Sequence, residues 1–244
     1  MHKEIFSRSI ALLGEEKFNL LAEKSIVIFG VGGVGGWCAE ALLRTGAAKI
    51  TLVDDDIVVH SNINRQRQAI PSTVGQLKVD VLKKHLGDIN PIAQINAVSK
   101  RYTPENAHLF SQILNDSDYI IDAIDSVDCK MHLISNCLTL SKEKNISIFS
   151  SMGAALRTDP TKVRIAPFHK VTGDGLAKAL RNRFRKSNIA IPKHLCVFSE
   201  ELPDAKTVAK GSIMPVTCSF GMALASLVVK TVDEQSIQGD TQLP

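Results

Sequence analysis

Six residues, Gly30-Val31-Gly32-Gly33-Val34-Gly35, restrict this chain more than any other stretch. They stand between the apolar, β-branched run Ser25–Phe29 and a helical run from Trp37 to Arg44 that Gly46 brings to a stop. Gly30, Gly32 and Gly35 fit G-x-G-x-x-G, in which glycines permit a tight turn and let amides at the helix start face phosphate oxygens. A second strand, Ile50–Val53, leads to Asp54, 24 residues after Gly30 and at the spacing of an acid that holds a ribose. The fold class that follows is α/β: a Rossmann-like, mostly parallel sheet flanked by helices, with a nucleotide-binding core over about 24–150. That half of the pattern suits a dehydrogenase equally well.

The next residues separate the uses of a nucleotide. After Asp54-Asp55-Asp56 come Ser61-Asn62-Ile63-Asn64-Arg65-Gln66, then Val74-Gly75-Gln76-Leu77-Lys78 at the opening of another helix. A hydride-transfer site has no reason to aim Asn62, Arg65 and Lys78 at one place. A triphosphate does, because adenylyl transfer builds charge on the α-phosphate and the leaving pyrophosphate.

The 244 residues, 44% of them hydrophobic, suffice for one domain over 1–232, and 233–244 reads as a polar tail. No apolar run of signal-peptide length follows Met1, so a cytoplasmic protein is expected. Ile213–Val229 is apolar but carries Pro215, Thr217, Ser219 and Ser226, and reads as a closing core helix over about 213–230 rather than a membrane span. Five cysteines without a C-x-x-C pair argue against a four-thiolate zinc. Net charge is +4, yet Thr161–His194 holds nine basic residues against the single acid Asp174. Such a block, within a basic insertion over about 160–210, is the footprint of a nucleic-acid or polyphosphate contact. Leu176, Leu180 and Phe184 share one helical face, leaving Lys178, Arg181, Arg183, Arg185 and Lys186 as candidate contacts to an RNA phosphate track.

Elsewhere, residues 3–23 read as a helical arm broken at Gly14 that carries Arg8. Helix 75–89, strand 94–98, helix 104–114, strand 118–122, helix 127–143 and strand 146–150 continue the alternation. Asp125 falls just past the end of a strand, where open α/β sheets gather ligands. A helix cap near Val127 is the alternative use for it.

Gly30–Gly35, Asp54–Asp56, Ser61–Gln66 and Val74–Lys78 together resemble the G-x-G-G-x-G, D-x-D, S-N-x-x-R-Q and V-G-x-x-K of the ubiquitin-activating-enzyme-like adenylyltransferases. Thr45-Gly46-Ala47, Ile121–Ser126 and Cys196-Val197-Phe198-Ser199-x-Glu201 narrow the likeness to bacterial tRNA threonylcarbamoyladenosine dehydratases. The resemblance implies ATP on Gly30, Gly32, Gly33, Gly35, Asp54, Asp56, Asn62, Arg65, Gln66 and Lys78, with Asp125 as ligand to Mg2+. It further implies catalysis by Arg8, Arg65, Lys78 and Asp125, with Arg8 reaching from the second subunit of a homodimer, and leaves room for a monovalent cation. The implied substrate is tRNA carrying threonylcarbamoyladenosine, and a cysteine desulfurase or sulfur acceptor is a conceivable partner. Cys196 is expected to be structural or accessory. The rivals are adenylation of a ubiquitin-like sulfur carrier and, in another class, an NAD-dependent oxidoreductase or a nucleotide sensor.

Overall fold

The structure, a computed structural model, describes residues 2–203 and 211–240. Seven strands form one sheet: β1 (Ser25–Phe29), β2 (Lys49–Val53), β3 (Gln94–Val98), β4 (Tyr119–Asp122), β5 (Ser147–Ser151), β6 (Val163–Pro167) and β7 (Leu195–Ser199). Their order is β3-β2-β1-β4-β5-β7-β6, parallel throughout except for β6. The helices are α1 (His2–Ile5), α2 (Ser7–Leu13), α3 (Glu15–Glu23), α4 (Gly35–Thr45), α5 (Lys78–Ile89), α6 (Ser111–Asn115), α7 (Val127–Leu140), α8 (Gly175–Lys186) and α9 (Met214–Asp240).

A strand buried on both faces sends alternate side chains to opposite layers, and β1 does so along its length. Ile26 and Ile28 join the core that α3, α4, α5 and α9 cover, whereas Val27 and Phe29 join the core beneath α7 and α8. Val216, Phe220, Leu224, Val228 and Val232 of α9 are all buried, at a spacing that keeps one stripe on the sheet. Each contributes about 2 kcal/mol by burial. Gly221 lets α9 press on the start of α4: a Cβ there would lie 2.6 Å from the Val34 carbonyl and 2.9 Å from the Cys38 amide. The 20-residue stretch Met214–Asp233 is long and apolar enough to cross a bilayer, yet half of it is buried inside the protein. α9 continues to Asp240, past the expected end at Lys230. Residues 241–244 of the expected tail, and 204–210 of the basic segment, lie outside the described residues.

Three local differences from the sequence reading have physical causes. Residues 75–77 are taken from the expected helix by pairing with 57–58: Val58 donates to the Gln76 carbonyl and Gly75, at φ +88°, donates to the Val58 carbonyl. Helix α5 therefore begins at Lys78, whose amide is tied to the Asp56 carbonyl at 3.0 Å. The expected helix 104–114 is a 3-10 turn, Ala107–Phe110, followed by the short α6. Asn106 prevents an earlier start by accepting from the Thr103 amide and donating to the Arg101 carbonyl. The basic segment also supplies β6 and β7, so it completes the sheet as well as carrying the cationic helix.

Candidate functional site

The glycine turn joins β1 to α4 with almost no room to spare. Gly30 has φ +84°, and a Cβ on it would meet the Ala123 carbonyl oxygen at 2.7 Å. A Cβ on Gly35 would lie 1.9 Å from the Gly30 carbonyl oxygen. Asp54, at the end of β2, braces the turn: Oδ2 accepts the Val31 amide at 2.8 Å and Oδ1 the Asp56 amide at 2.9 Å. Burial pushes this carboxyl up, and the two amides and the charge of Lys78 offset only part of the rise. Each carboxylate oxygen can accept a second hydrogen bond, which leaves Asp54 able to take a ribose hydroxyl while it holds the turn.

The arm after Asp56 folds back over the glycines. A Cβ on Gly33 would lie 3.2 Å from Cγ of Arg65, and one on Gly32 would lie 3.7 Å from the Gln66 side-chain amide. Gln68 donates to the Val31 carbonyl at 2.7 Å, and the Trp37 indole donates to the Arg65 carbonyl at 2.9 Å. Arg65 is half-buried, and its Nη1 donates to the Ser61 carbonyl and to Asn64 Oδ1, at 2.7 and 2.9 Å. Asn62 is buried, and its Oδ1 accepts the Val59 amide, so this expected phosphate ligand also holds the arm's own turn. Gln66 is buried with its Oε1 lacking a donor.

Lys78 reaches the same edge with only 7% of its side chain exposed, and its Nζ lies 2.7 Å from Asp56 Oδ2. Asp56 is thus an ion-pair partner of Lys78. Arg101 adds bonds to Asp55 at 3.1 Å and to Asp56 at 3.5 Å; nothing in the local sequence singles it out. Asp125 is exposed beyond β4 and makes no hydrogen bond or ion pair with any described residue. The cap position of α7 belongs to Ser126, without a side-chain bond, so Asp125 is not spent as a cap. Arg8 is exposed on α2, equally unpaired among the described residues, and no bond within the protomer draws it to the glycine turn.

A nucleotide turn, an acid at the end of β2, an arginine arm over the glycines and a lysine opening the next helix thus share one edge of the sheet. The pattern that defines the ThiF family matches residues 6–242. The chain belongs to the ThiF family. It is similar to the tRNA threonylcarbamoyladenosine dehydratase of Bacillus subtilis, with 38% identity over 92% of this chain and 91% of that protein. The dehydratase of Escherichia coli is 34% identical over 94% of this chain and 89% of its own. Crystal structures of the E. coli tRNA N6-threonylcarbamoyladenosine dehydratase, TcdA, with ATP and with AMP superpose with a TM-score of 0.89 at 33% identity, covering 97% of this chain and 96% of theirs.

In this ThiF-family chain the basic helix α8 is anchored at Asp174, which accepts the Ala177 amide at 2.8 Å and the Gly153 amide at 2.9 Å. Its cations have different surroundings. Arg181 turns inward, donating to the Val171 carbonyl at 2.8 Å and lying over the Phe168 ring. Arg183 pairs with Asp128. Lys178, Arg185 and Lys186 face solvent.

Two polar clusters escaped the sequence reading. Glu40 of α4, 8% exposed, accepts from Arg44 at 2.7 Å, His85 at 2.9 Å and Arg67. Burial alone would push its carboxyl up, but those hydrogen bonds outweigh burial and hold it below the usual carboxylate range. Arg67 also covers the Trp37 ring, so Glu40 ties the arm to α4 and α5. The second cluster joins Asp122, Lys130, Ser150 and Cys196, all fully buried, to the half-buried His194. Burial, with the Lys130 charge adding to it, pushes His194 down to about 3, so its ring is neutral at physiological pH. Burial pushes the Cys196 thiol up, and with no exposure it has neither the thiolate nor the access of a nucleophile.

Proposed function

We propose that this protein uses ATP to dehydrate threonylcarbamoyladenosine beside the tRNA anticodon, closing it into a cyclic form through a carboxyl-adenylate and releasing AMP and pyrophosphate. The observation that carries this reading is the arm that lays Arg65 across the glycine turn with Lys78 at the same edge. Similarity over 97% of this chain to a dehydratase crystallised with ATP and with AMP supports it. A bound nicotinamide would face the same fixed positive charge, which counts against hydride transfer.

In the reaction the substrate carboxylate attacks the α-phosphorus, and the bond to the bridging oxygen breaks as pyrophosphate leaves. Arg65 and Lys78 meet the charge that builds on the phosphates, and Asp54 orients the ribose. A ureido nitrogen then attacks the acyl carbon, loses its proton to solvent, and displaces AMP with the carboxylate oxygen. Because nucleophile and acyl group share one molecule, effective molarities on the order of 10⁵ M or more remove the need for a covalent enzyme intermediate. That agrees with the buried Cys196. Asp125 is a bare, exposed oxygen donor, and such a group suits Mg2+, which binds through one or two carboxylates and the phosphates. Mg2+ held there would neutralise charge on the departing phosphates.

Arg8 makes no bond to a described residue of its own protomer, which fits its entry into the site of a second copy in a homodimer. A sulfur-relay partner would meet only Cys218 among the five cysteines, the others being buried. Incubation with ATP, Mg2+ and modified tRNA, followed by nucleoside mass analysis, tests the function: the expected result is a mass loss of one water. Adenylation of a carrier peptide with no change in the tRNA would transfer the assignment to the sulfur-carrier class.

The outward cations of α8 form the proposed tRNA track. Replacing Lys178, Arg185 and Lys186 by serine should lower the slope of log affinity against log salt by about 2–3. Arg181→Ser should instead loosen the fold at Phe168 and leave that slope nearly unchanged.

A further inference from the structure

The turn between β4 and α7 decides where the Asp125 carboxylate stands, yet the Asp125 side chain is held by no described residue. Its placement depends on residues 122–124, and a buried ammonium binds these on three sides. Lys130, with no exposed surface, has its Nζ 2.8 Å from Asp122 Oδ2, 3.3 Å from the Asp122 carbonyl and 3.0 Å from the Ile124 carbonyl. The three donors of the ammonium are therefore all spent on the strand end and the turn. Asp122 returns a bond of its own, its Oδ1 accepting the Ile124 amide at 3.2 Å. Its Oδ2 is fixed further by the Ser150 hydroxyl at 2.8 Å, which in turn accepts from His194 Nε2 at 3.0 Å.

A buried ion pair is a poor way to gain stability, since the cost of desolvating two charges can exceed their attraction. It is a good way to fix geometry, because each partner must keep every bond. The geometry at stake is the face that the glycine turn touches: Gly30 lies against the Ala123 carbonyl so closely that a Cβ would meet it at 2.7 Å. One ammonium thus locks the turn from behind while the nucleotide turn packs on it from the front, with Asp125 the next residue along.

We propose that Lys130 is a positioning residue for the metal-ligating carboxylate of Asp125, acting by clamping the Asp122 and Ile124 carbonyls of the 122–124 turn. The proposal rests on the reading of Asp125 as a Mg2+ ligand, and the test separates the two. Mn2+ affinity, measured by electron paramagnetic resonance in the presence of a non-hydrolysable ATP analogue, is compared for wild type, Asp125→Asn and Lys130→Met. Binding of the analogue without metal is followed through Trp37, the single tryptophan. Residues that orient a metal ligand are worth about 10- to 100-fold in metal affinity. Lys130→Met should lose that much Mn2+ affinity while metal-free nucleotide binding stays within about twofold, and amide exchange at 123–125 should accelerate. Should Lys130→Met not fold, the pair Asp122→Asn with Lys130→Met removes both charges, keeps the acceptor for the Ile124 amide, and should show the same selective loss. Wild-type Mn2+ affinity in the Lys130 variants beside a loss in Asp125→Asn overturns the positioning role alone, as does an equal loss of metal and of metal-free nucleotide. Unchanged Mn2+ affinity in Asp125→Asn overturns the metal role of Asp125, and the positioning role with it.

Discussion

Arg65→Ala is expected to cut ATP-dependent pyrophosphate release by about 10³-fold, the scale of losing one preorganised group that meets transition-state charge. The side chain is half-buried over Gly33, and only Nη1 is engaged, with the Ser61 carbonyl and Asn64. Nε and Nη2 make no bond to a described residue, which leaves one edge of the guanidinium for phosphate oxygens. Loss of the side chain spares the bond that most directly ties the arm to α4, because Trp37 donates to the main-chain carbonyl of residue 65. Trp37 emission should therefore stay native while turnover fails. Arg65→Lys keeps the charge but not the planar fork and should fall between the two. Pyrophosphate release near the wild-type rate in a folded Arg65→Ala enzyme would remove this residue from the chemistry.

The nucleotide half of the site was legible because its information is local. Gly30, Gly35 and Asp54 lie within one strand-turn-helix-strand unit, and their spacing is dictated by the turn they build. Arg65 and Lys78 were legible for their type and nearness to that unit. Asp56 and Asn62 were legible as candidates for the site but not in their partners, since bonds to Lys78 and to the Val59 amide form only when the arm closes. The strands β6 and β7 were hidden because a cationic helix dominates the composition around them, and the pairing of Val197 with Ser151 and Ile165 crosses long sequence separations. Lys130 reads in sequence as an ordinary polar position in a helix. Only the strand end packed above it makes it a fully buried ion.

Glu40→Gln is expected to cost roughly 3 kcal/mol of stability at neutral pH. Breaking a buried ion pair costs about 3–5 kcal/mol, and the low end applies because Arg44 is 55% exposed and Arg67 28% exposed. For a chain of this size that corresponds to a fall in Tm of about 6–12 °C. The sequence hides the cluster, since Arg44, Arg67 and His85 converge on Glu40 only after α4, the arm and α5 have packed. Its pH dependence follows from the direction of the shift. The folded Glu40 carboxyl is held below its usual value, so its stabilisation is complete above the unfolded value of about 4.3 and disappears as pH falls through the lower folded value. Denaturation of wild type and Glu40→Gln should therefore differ widely at pH 7, and the gap should close progressively below about pH 4. A constant gap across that range would mean that Glu40 acts by shape rather than by charge. Since Arg67 lies two residues from Arg65, the same variant should also raise KM for ATP more than it lowers kcat, through a loosened arm over an intact glycine turn.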